Sequence, residues 1–179
     1  MQCLTCKTTS LEPKEIEPGL LVAACPQCGG ALVSLMNYRF WLDQHQGVAE
    51  AELLPELDVP GEQPGERDCP KCRQVMKKFQ MGLNSSHKID LCESCDEAWL
   101  DKGEWQLLKQ LDLHGKLPRI FTQAWQNNIR EARREALQED RYEKMLGVED
   151  FMHVSSFRQW LYRHPRKEEI KQYLMIAPE

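Results

Sequence analysis

The sequence predicts a small α+β fold: two tandem cysteine-bearing hairpin modules, each with a short trailing helix, followed by an α-helical C-terminal domain. Three observations predict it. All eight cysteines of the 179-residue chain fall in four Cys-x2-Cys pairs, and all lie before residue 96. The pairs form two similar units offset by 66 or 67 residues, an internal repeat. Everything beyond Cys95 lacks cysteine and is rich in helix formers. The expected divisions are 1–45 for the first module and its helix, 46–66 for a linker, 67–116 for the second module and its helix, and 117–179 for the helical domain.

The spacing carries the chemistry. The first unit supplies Cys3, Cys6, Cys25 and Cys28; the second supplies Cys69, Cys72, Cys92 and Cys95. Structural zinc takes four soft ligands in a tetrahedron, and a Cys-x2-Cys turn brings two sulfurs near one point. Two such turns, one before a hairpin and one at its end, supply all four. The sequence therefore predicts two Zn²⁺ per chain and a zinc-stabilised fold of two tandem zinc ribbons. A module of roughly 40 residues buries too little apolar surface to fold unaided, and metal binding supplies the missing free energy. A rubredoxin-like iron site is the alternative reading of the same turn. A redox dithiol is disfavoured because each pair has a partner pair. Pro26 and Pro70 pre-set their turns, and Gly29 and Gly30 permit positive φ and close backbone approach.

Each element has a local signal. Leu11–Ile16 and Leu20–Ala24 flank Glu17-Pro18-Gly19, which suits a type II turn. Val75–Met81 and His87–Leu91 flank a Gly/Asn/Ser stretch, and alternation of Val75, Phe79 and Met81 with Lys78 and Gln80 fits a half-exposed strand. Ser34 is a simple N-cap and Asp101-x-x-Glu104 a capping box, so helices are expected at 35–45 and 102–113. When the repeats are aligned, Tyr38 falls on Trp105 and Phe40 on Leu107. Trp99 and Trp105 are expected to pack the second short helix onto its module. Residues 46–66, with three prolines and a strong acidic bias, read as an exposed linker.

From Pro118 the pattern turns helical. A helix is expected over 119–146, with Phe121, Trp125, Ile129, Ala132 and Ala136 as its apolar stripe, an Asp140–Lys144 pair, and Gly147 as its end. A second is expected over 149–163 and a third from Pro165 at a first-turn position. Phe121, Trp125, Phe157 and Trp160 are the expected helical core. Arg130, Arg133 and Arg134 alternate with Glu131 and Glu135 and read as a solvated face.

Composition narrows the function classes. The formal net charge is -5. Residues 1–117 carry 12 Lys/Arg against 18 Asp/Glu, and residues 118–179 carry 11 against 10. Two metal sites of four thiolates each make the cysteine half still more negative. Nucleic-acid binding depends on neutralising phosphates, so that half has the wrong sign for it. No run approaches the roughly 18 apolar residues that span a membrane, and the start, Met-Gln-Cys, carries no secretory pattern. The expected location is cytoplasmic, where paired cysteines bind metal rather than cross-link. The histidines, His45, His87, His114, His153 and His164, stand at no ligand spacing. Four cysteines per metal leave no open coordination position, and no catalytic motif is present.

The run Cys69-Pro-Lys-Cys72, Cys92-Glu-Ser-Cys95, then Trp99-Leu100-Asp101-Lys102-Gly103-Glu104 resembles the bacterial zinc-ribbon domains related to the zinc finger of transcription factor IIB. There the last cysteine is followed by a Trp-Leu-Asp-x-Gly-Glu stretch that opens a helix. The first unit keeps Cys25-Pro26-x-Cys28-Gly29-Gly30 but has Leu32-Val33-Ser34 in place of Trp-Leu-Asp. The second has Asp96-Glu97 where the family has two glycines. The resemblance covers about 1–45 and 67–112, and it implies the ribbon fold, zinc, and transcription machinery as a partner class. The leading expectation is an adaptor or regulatory protein acting through protein–protein contacts without catalysis. Homodimerisation through the helices is a further expectation. A nucleic-acid-binding regulator and an enzyme with a site in the helical half are the alternatives.

Overall fold

The computed structural model describes residues 1–45, 65–83 and 85–176. The expected linker at 46–66 lies almost wholly outside the described residues. The chain forms two units, Met1–Arg130 and Glu131–Glu179.

In the first unit the strands β1 (Glu12–Glu17), β2 (Leu20–Ala24), β3 (Ala31–Ser34), β4 (Lys77–Gln80), β5 (Lys88–Cys92) and β6 (Glu97–Leu100) join one antiparallel sheet in the order β1-β2-β3-β6-β5-β4. The cysteine units are therefore not separate bodies. The third strand of one pairs with the third strand of the other, Ala31 opposite Leu100, Leu32 opposite Trp99, Val33 opposite Ala98 and Ser34 opposite Glu97. The order reads symmetrically outward from this seam. In the first hairpin Glu17 pairs with Leu20 across Pro18-Gly19, and Gly19 takes the φ of 82° that the third position of a type II turn demands. The edge strand β1 carries exposed Glu12, Lys14 and Glu15, charges that discourage pairing with another chain.

Because side chains alternate along a strand, the sheet has two apolar faces. On one, Ala24, Ala31, Val33, Leu91, Ala98 and Leu100 form a core with the helices α1 (Leu35–Gln44), α2 (Glu104–Gln110) and α3 (Leu117–Ile120). Tyr38 and Trp105, which the repeat aligns, meet edge to face with ring centroids 6.4 Å apart. The Tyr38 hydroxyl donates to the His114 carbonyl, and Trp41 Nε1 donates to the Pro18 carbonyl at 3.0 Å. On the other face, Leu32 and Trp99 pack with Met76 and the cysteines. Trp99 thus lies on the cysteine side of the sheet, whereas Trp105 joins the helical core as expected.

Ser34 caps α1, accepting from the Asn37 N–H at 3.4 Å. The capping box of α2 is only half made. The Asp101 N–H donates to Glu104 Oε2 at 2.8 Å, but Gly103 with φ 87° occupies the N-cap, because the Asp101 carboxylate is taken by Arg67 and Trp99. Gln80, expected outside, is buried. Its amide donates to the Ser85 carbonyl, and its backbone N–H and C=O pair with the Gln126 side chain at 3.0 and 2.9 Å. A glutamine thereby satisfies the edge of β4 where a strand would otherwise be needed.

The helix expected at 119–146 is broken. After α3 the chain turns at Phe121 and Thr122, and α4 spans Gln123–Leu146, its start held by the Trp125 N–H donating to Thr122 Oγ1 at 3.2 Å. Phe121 crosses Phe79 edge to face at 5.3 Å, and with Trp125 it packs against the sheet core. The segment expected to open the helical domain at 117 therefore contributes Leu117, Ile120, Phe121 and Trp125 to the first unit. Beyond Arg130 follow the rest of α4, then α5 (Val148–Arg163) and α6 (Lys167–Leu174). Pro165 lies before the N-cap Arg166 rather than in the first turn. Phe157 and Trp160, expected as core, are 41% and 50% exposed, and none of the described residues from 131 to 176 is buried. Among the described residues of this unit no second layer covers these helices, so the aromatic residues stay at its surface.

The Trp99 ring occupies the position that a Cβ on Gly30 would need. Gly30→Ala should therefore destabilise the first unit by about 1–3 kcal/mol through overpacking against a fully buried ring. Urea denaturation followed by tryptophan fluorescence measures this, and unchanged stability would show that the ring does not press on that turn.

Candidate metal centres

All four Cys-x2-Cys turns adopt one conformation. The residue after each second cysteine is left-handed: Lys7 at φ 61°, Gly29 at 76°, Arg73 at 65° and Asp96 at 56°. At Lys7, Gly29 and Arg73 the N–H of that residue donates to the first cysteine's carbonyl at 2.9 Å. Reversal of the chain there turns amides toward sulfur, as in the Cys6 N–H donating to Cys3 Sγ at 3.3 Å and the Cys28 N–H donating to Cys25 Sγ at 3.5 Å. Three of the four positions carry a side chain, at a cost of about 1–2 kcal/mol each. Asp96, where the resembled family has glycine, is held by Arg39 at 2.5 Å.

These turns bring Cys3, Cys6, Cys25 and Cys28 together, and likewise Cys69, Cys72, Cys92 and Cys95, with the sulfurs of each group within 4.8 Å of one another. Contacts of 3.4 Å for Cys3–Cys28, 3.9 Å for Cys6–Cys25 and 3.5 Å for Cys72–Cys92 bracket the roughly 3.8 Å edge of a tetrahedron with metal–sulfur bonds of about 2.3 Å. Each group can hold one metal ion. Four sulfur donors and a closed first shell suit zinc, so the two groups are consistent with two Zn²⁺ per chain.

The thiols within a group do not ionise alike. Burial opposes ionisation of Cys25, but the N–H groups of Cys28 and Gln27 outweigh it and bring the thiol down to about 7. Burial pushes Cys28 up to about 12. In the second group the Gln74 N–H and a hydrogen bond from Cys95 bring Cys72 down to about 7, while the Cys72 contact and burial push Cys95 up to about 12. Thiolates this close repel, so the last protons are held until a cation balances the charge. That is the donor chemistry of a site whose ligand is a metal.

The two centres share one apolar cluster, in which Leu32 and Trp99 lie among cysteines of both groups. Beside it lies a buried polar cluster that the sequence reading missed. Arg67 grips Asp101 with two hydrogen bonds, of 3.0 and 2.9 Å, and lies 3.4 Å from Asp90. Trp99 Nε1 donates to Asp101 at 2.9 Å, and Lys78 Nζ is 3.2 Å from Asp90. His87 Nδ1 is 3.6 Å from Glu104, too far for a hydrogen bond. Burial opposes ionisation of Asp101, but Arg67 outweighs it and holds the carboxyl below its ordinary value. Burial raises Asp90 and pushes Glu104 up to about 8, aided there by the charges of Asp101 and Asp90. Asp90 and Glu104 are each 2% exposed, and the network ties the segment before Cys69 to the start of α2. The signal for it was an aspartate between Ile89 and Leu91, at the centre of β5.

The histidines join neither centre. His45 stacks on Trp41 with ring centroids 5.3 Å apart, and His164 meets Trp160 at a tilt of 45°, 4.9 Å apart. Among the described residues no helix is long and apolar enough to cross a membrane. Comparison of the chain with protein-family models, with curated proteins and with solved structures returned no match.

Two predictions follow from this geometry. Cys69→Ser should lower the metal content from two ions per chain to one and shift Trp99 emission to the red, measured by native mass spectrometry and fluorescence; an unchanged metal count would remove Cys69 from the ligand set. Glu104→Gln should stabilise the protein in a pH-dependent way. The wild-type carboxyl stays protonated when folded up to about 8 but ionises near 4.5 when unfolded, so stability falls between these values and the loss is complete above pH 8. The advantage of the variant should therefore grow by a few kcal/mol between pH 5 and pH 8.5, read from denaturation curves. A constant difference across that range would contradict it.

Proposed function

We propose that the protein is a zinc-binding adaptor or regulatory protein that acts through protein–protein contacts. The cysteine units are zinc ribbons in this reading, with the metal stabilising the fold. The observation that carries it is the second unit: none of its described residues, 131–176, is buried, and Tyr142, Met152, Trp160, Tyr162 and Tyr173 are all at least 46% exposed. Exposed apolar surface of this extent marks interaction sites, and aromatic side chains dominate such contacts. The two carboxyl groups that burial raises, Asp90 and Glu104, are each 2% exposed, and ion pairs inside a fold perturb carboxyl groups as active sites do. Transcription machinery is the partner class suggested by the resemblance of Cys69–Glu104 to the transcription factor IIB zinc-finger-like domains.

The test is affinity purification of the full, metal-loaded chain from its native cell, with and without nuclease, alongside a Tyr162→Glu/Tyr173→Glu variant. A protein recovered in fixed ratio, resistant to nuclease and lost with the variant, supports the reading. Recovery that disappears with nuclease and falls steeply with salt would replace it with nucleic-acid binding.

A further inference from the structure

Three of the four cysteine turns are braced by residues of the opposite cysteine-bearing half. The turn at Cys92–Cys95 ends in left-handed Asp96. Its carbonyl accepts from the Leu35 N–H at 2.9 Å, and its carboxylate is held by Arg39 on α1. The turn at Cys25–Cys28 runs into Gly30, against which the Trp99 ring lies, and the Lys102 side chain covers Gly29. Inside the turn at Cys3–Cys6, Thr5 Oγ1 donates to Asp101 at 3.5 Å. The same carboxylate takes two hydrogen bonds from Arg67, which leads into the remaining turn at Cys69. Asp101 therefore joins the first turn of one centre to the first turn of the other. Leu32 and Trp99, paired across the seam, lie among cysteines of both groups.

We propose that the two centres fill as one: metal at either raises the affinity of the other, with Trp99 and Asp101 as the positioning residues that couple them. The inference rests on the reading of both groups as zinc sites. Four sulfurs converge only while their two turns keep a fixed shape. At Lys7, Arg73 and Asp96 that shape is left-handed with a side chain, which costs free energy to hold. An ion that fixes its own turns also fixes the residues of the other half that brace them. Those residues belong to the frame of the other centre: Trp99 and Asp101 follow Cys95, and Leu35 and Arg39 follow Cys28. The next ion then meets turns already ordered and has less conformational entropy to remove. The coupling is reciprocal, so either centre can fill first. Couplings between linked sites amount to about 5- to 150-fold in affinity. Chains in one solution should therefore divide into empty and fully loaded forms, and loading should follow zinc concentration more steeply than independent sites allow.

The test is a zinc titration of the full chain, stripped of metal and kept reduced, against a competing chelator and read by native mass spectrometry. At half-saturation, independent and equal centres leave about one half of the chains with a single ion, whereas a coupling of about 5-fold or more holds that share below about one third. Trp99→Leu gives the second half the residue that stands opposite it in the first, Leu32. This variant should still take two ions at saturation, with its single-ion share rising toward one half. Destabilisation alone would move the chelator midpoint and leave the share as it was. Thr5→Val, close in size but without the hydroxyl that reaches Asp101, is the milder second variant and should raise the share in the same direction. A single-ion share of one half or more in the unaltered chain overturns the proposal, and so does a share that neither variant changes. Failure to take up zinc at all removes the metal reading and the coupling together; filling to two ions through a full single-ion population removes the coupling alone.

Discussion

Four residue pairs, from Ala31 opposite Leu100 to Ser34 opposite Glu97, join the two cysteine-bearing halves, and the larger features of the first unit are built on that seam. Each half alone has three strands and little to bury. Paired through β3 and β6, they make a sheet wide enough to support a helical core on one face. On the other they form a cluster around Leu32 and Trp99. The seam also sets Trp99 of one half against Gly30 of the other. The local order of each metal centre therefore depends on residues that belong to its neighbour.

Magnitudes separate the interactions that hold this unit from those that decorate it. The exposed Lys144–Asp140 pair at 2.7 Å contributes about 0.3–0.5 kcal/mol at most. The Arg67–Asp101 pair is different in kind: it is bidentate, nearly enclosed, and shares its carboxylate with the Trp99 indole. Removing one partner of such a pair strands a buried charge, at a cost of about 3–5 kcal/mol. The left-handed residues Lys7, Arg73 and Asp96 cost a few kcal/mol together. A structural zinc site supplies on the order of 10 kcal/mol, which comfortably offsets that strain. Backbone geometry that an ordinary loop would avoid is thus tolerated where sulfur must be aimed.

The two units differ in how they satisfy their apolar residues. In the first, the sheet, its helices and the cysteine cluster bury them. In the second, aromatic and aliphatic side chains along α4 and α5 stay at the surface. The first unit places its charged groups in an internal network and its cysteines in closed sets of four. The second offers surface. The interaction role proposed above would draw on that division, with one body stabilised from within and a region whose apolar residues stay at its surface.

The sequence by itself determined which four cysteines gather in each group, because Cys-x2-Cys spacing is a local device and its repetition shows which pairs belong together. It also determined the first hairpin turn, the Ser34 cap and the two short helices, each of which rests on contacts within a few residues. The joining of the halves was decided only by the tertiary structure, since strand pairing across β3 and β6 leaves no mark on local periodicity. Gln80 and Asp101 were misplaced for the same reason. The Gln80 backbone is taken by the Gln126 side chain and the Asp101 carboxylate by Arg67, partners distant in the chain, and a buried hydrogen bond outweighs the exposure or capping that local pattern assigns. Phe121 and Trp125 follow the sheet rather than the helical unit, because the break at Thr122 turns them onto Phe79 and its surroundings. Phe157 and Trp160 read as core from composition, yet whether an aromatic residue is buried depends on what else is there to cover it, and that is a property of the assembled structure.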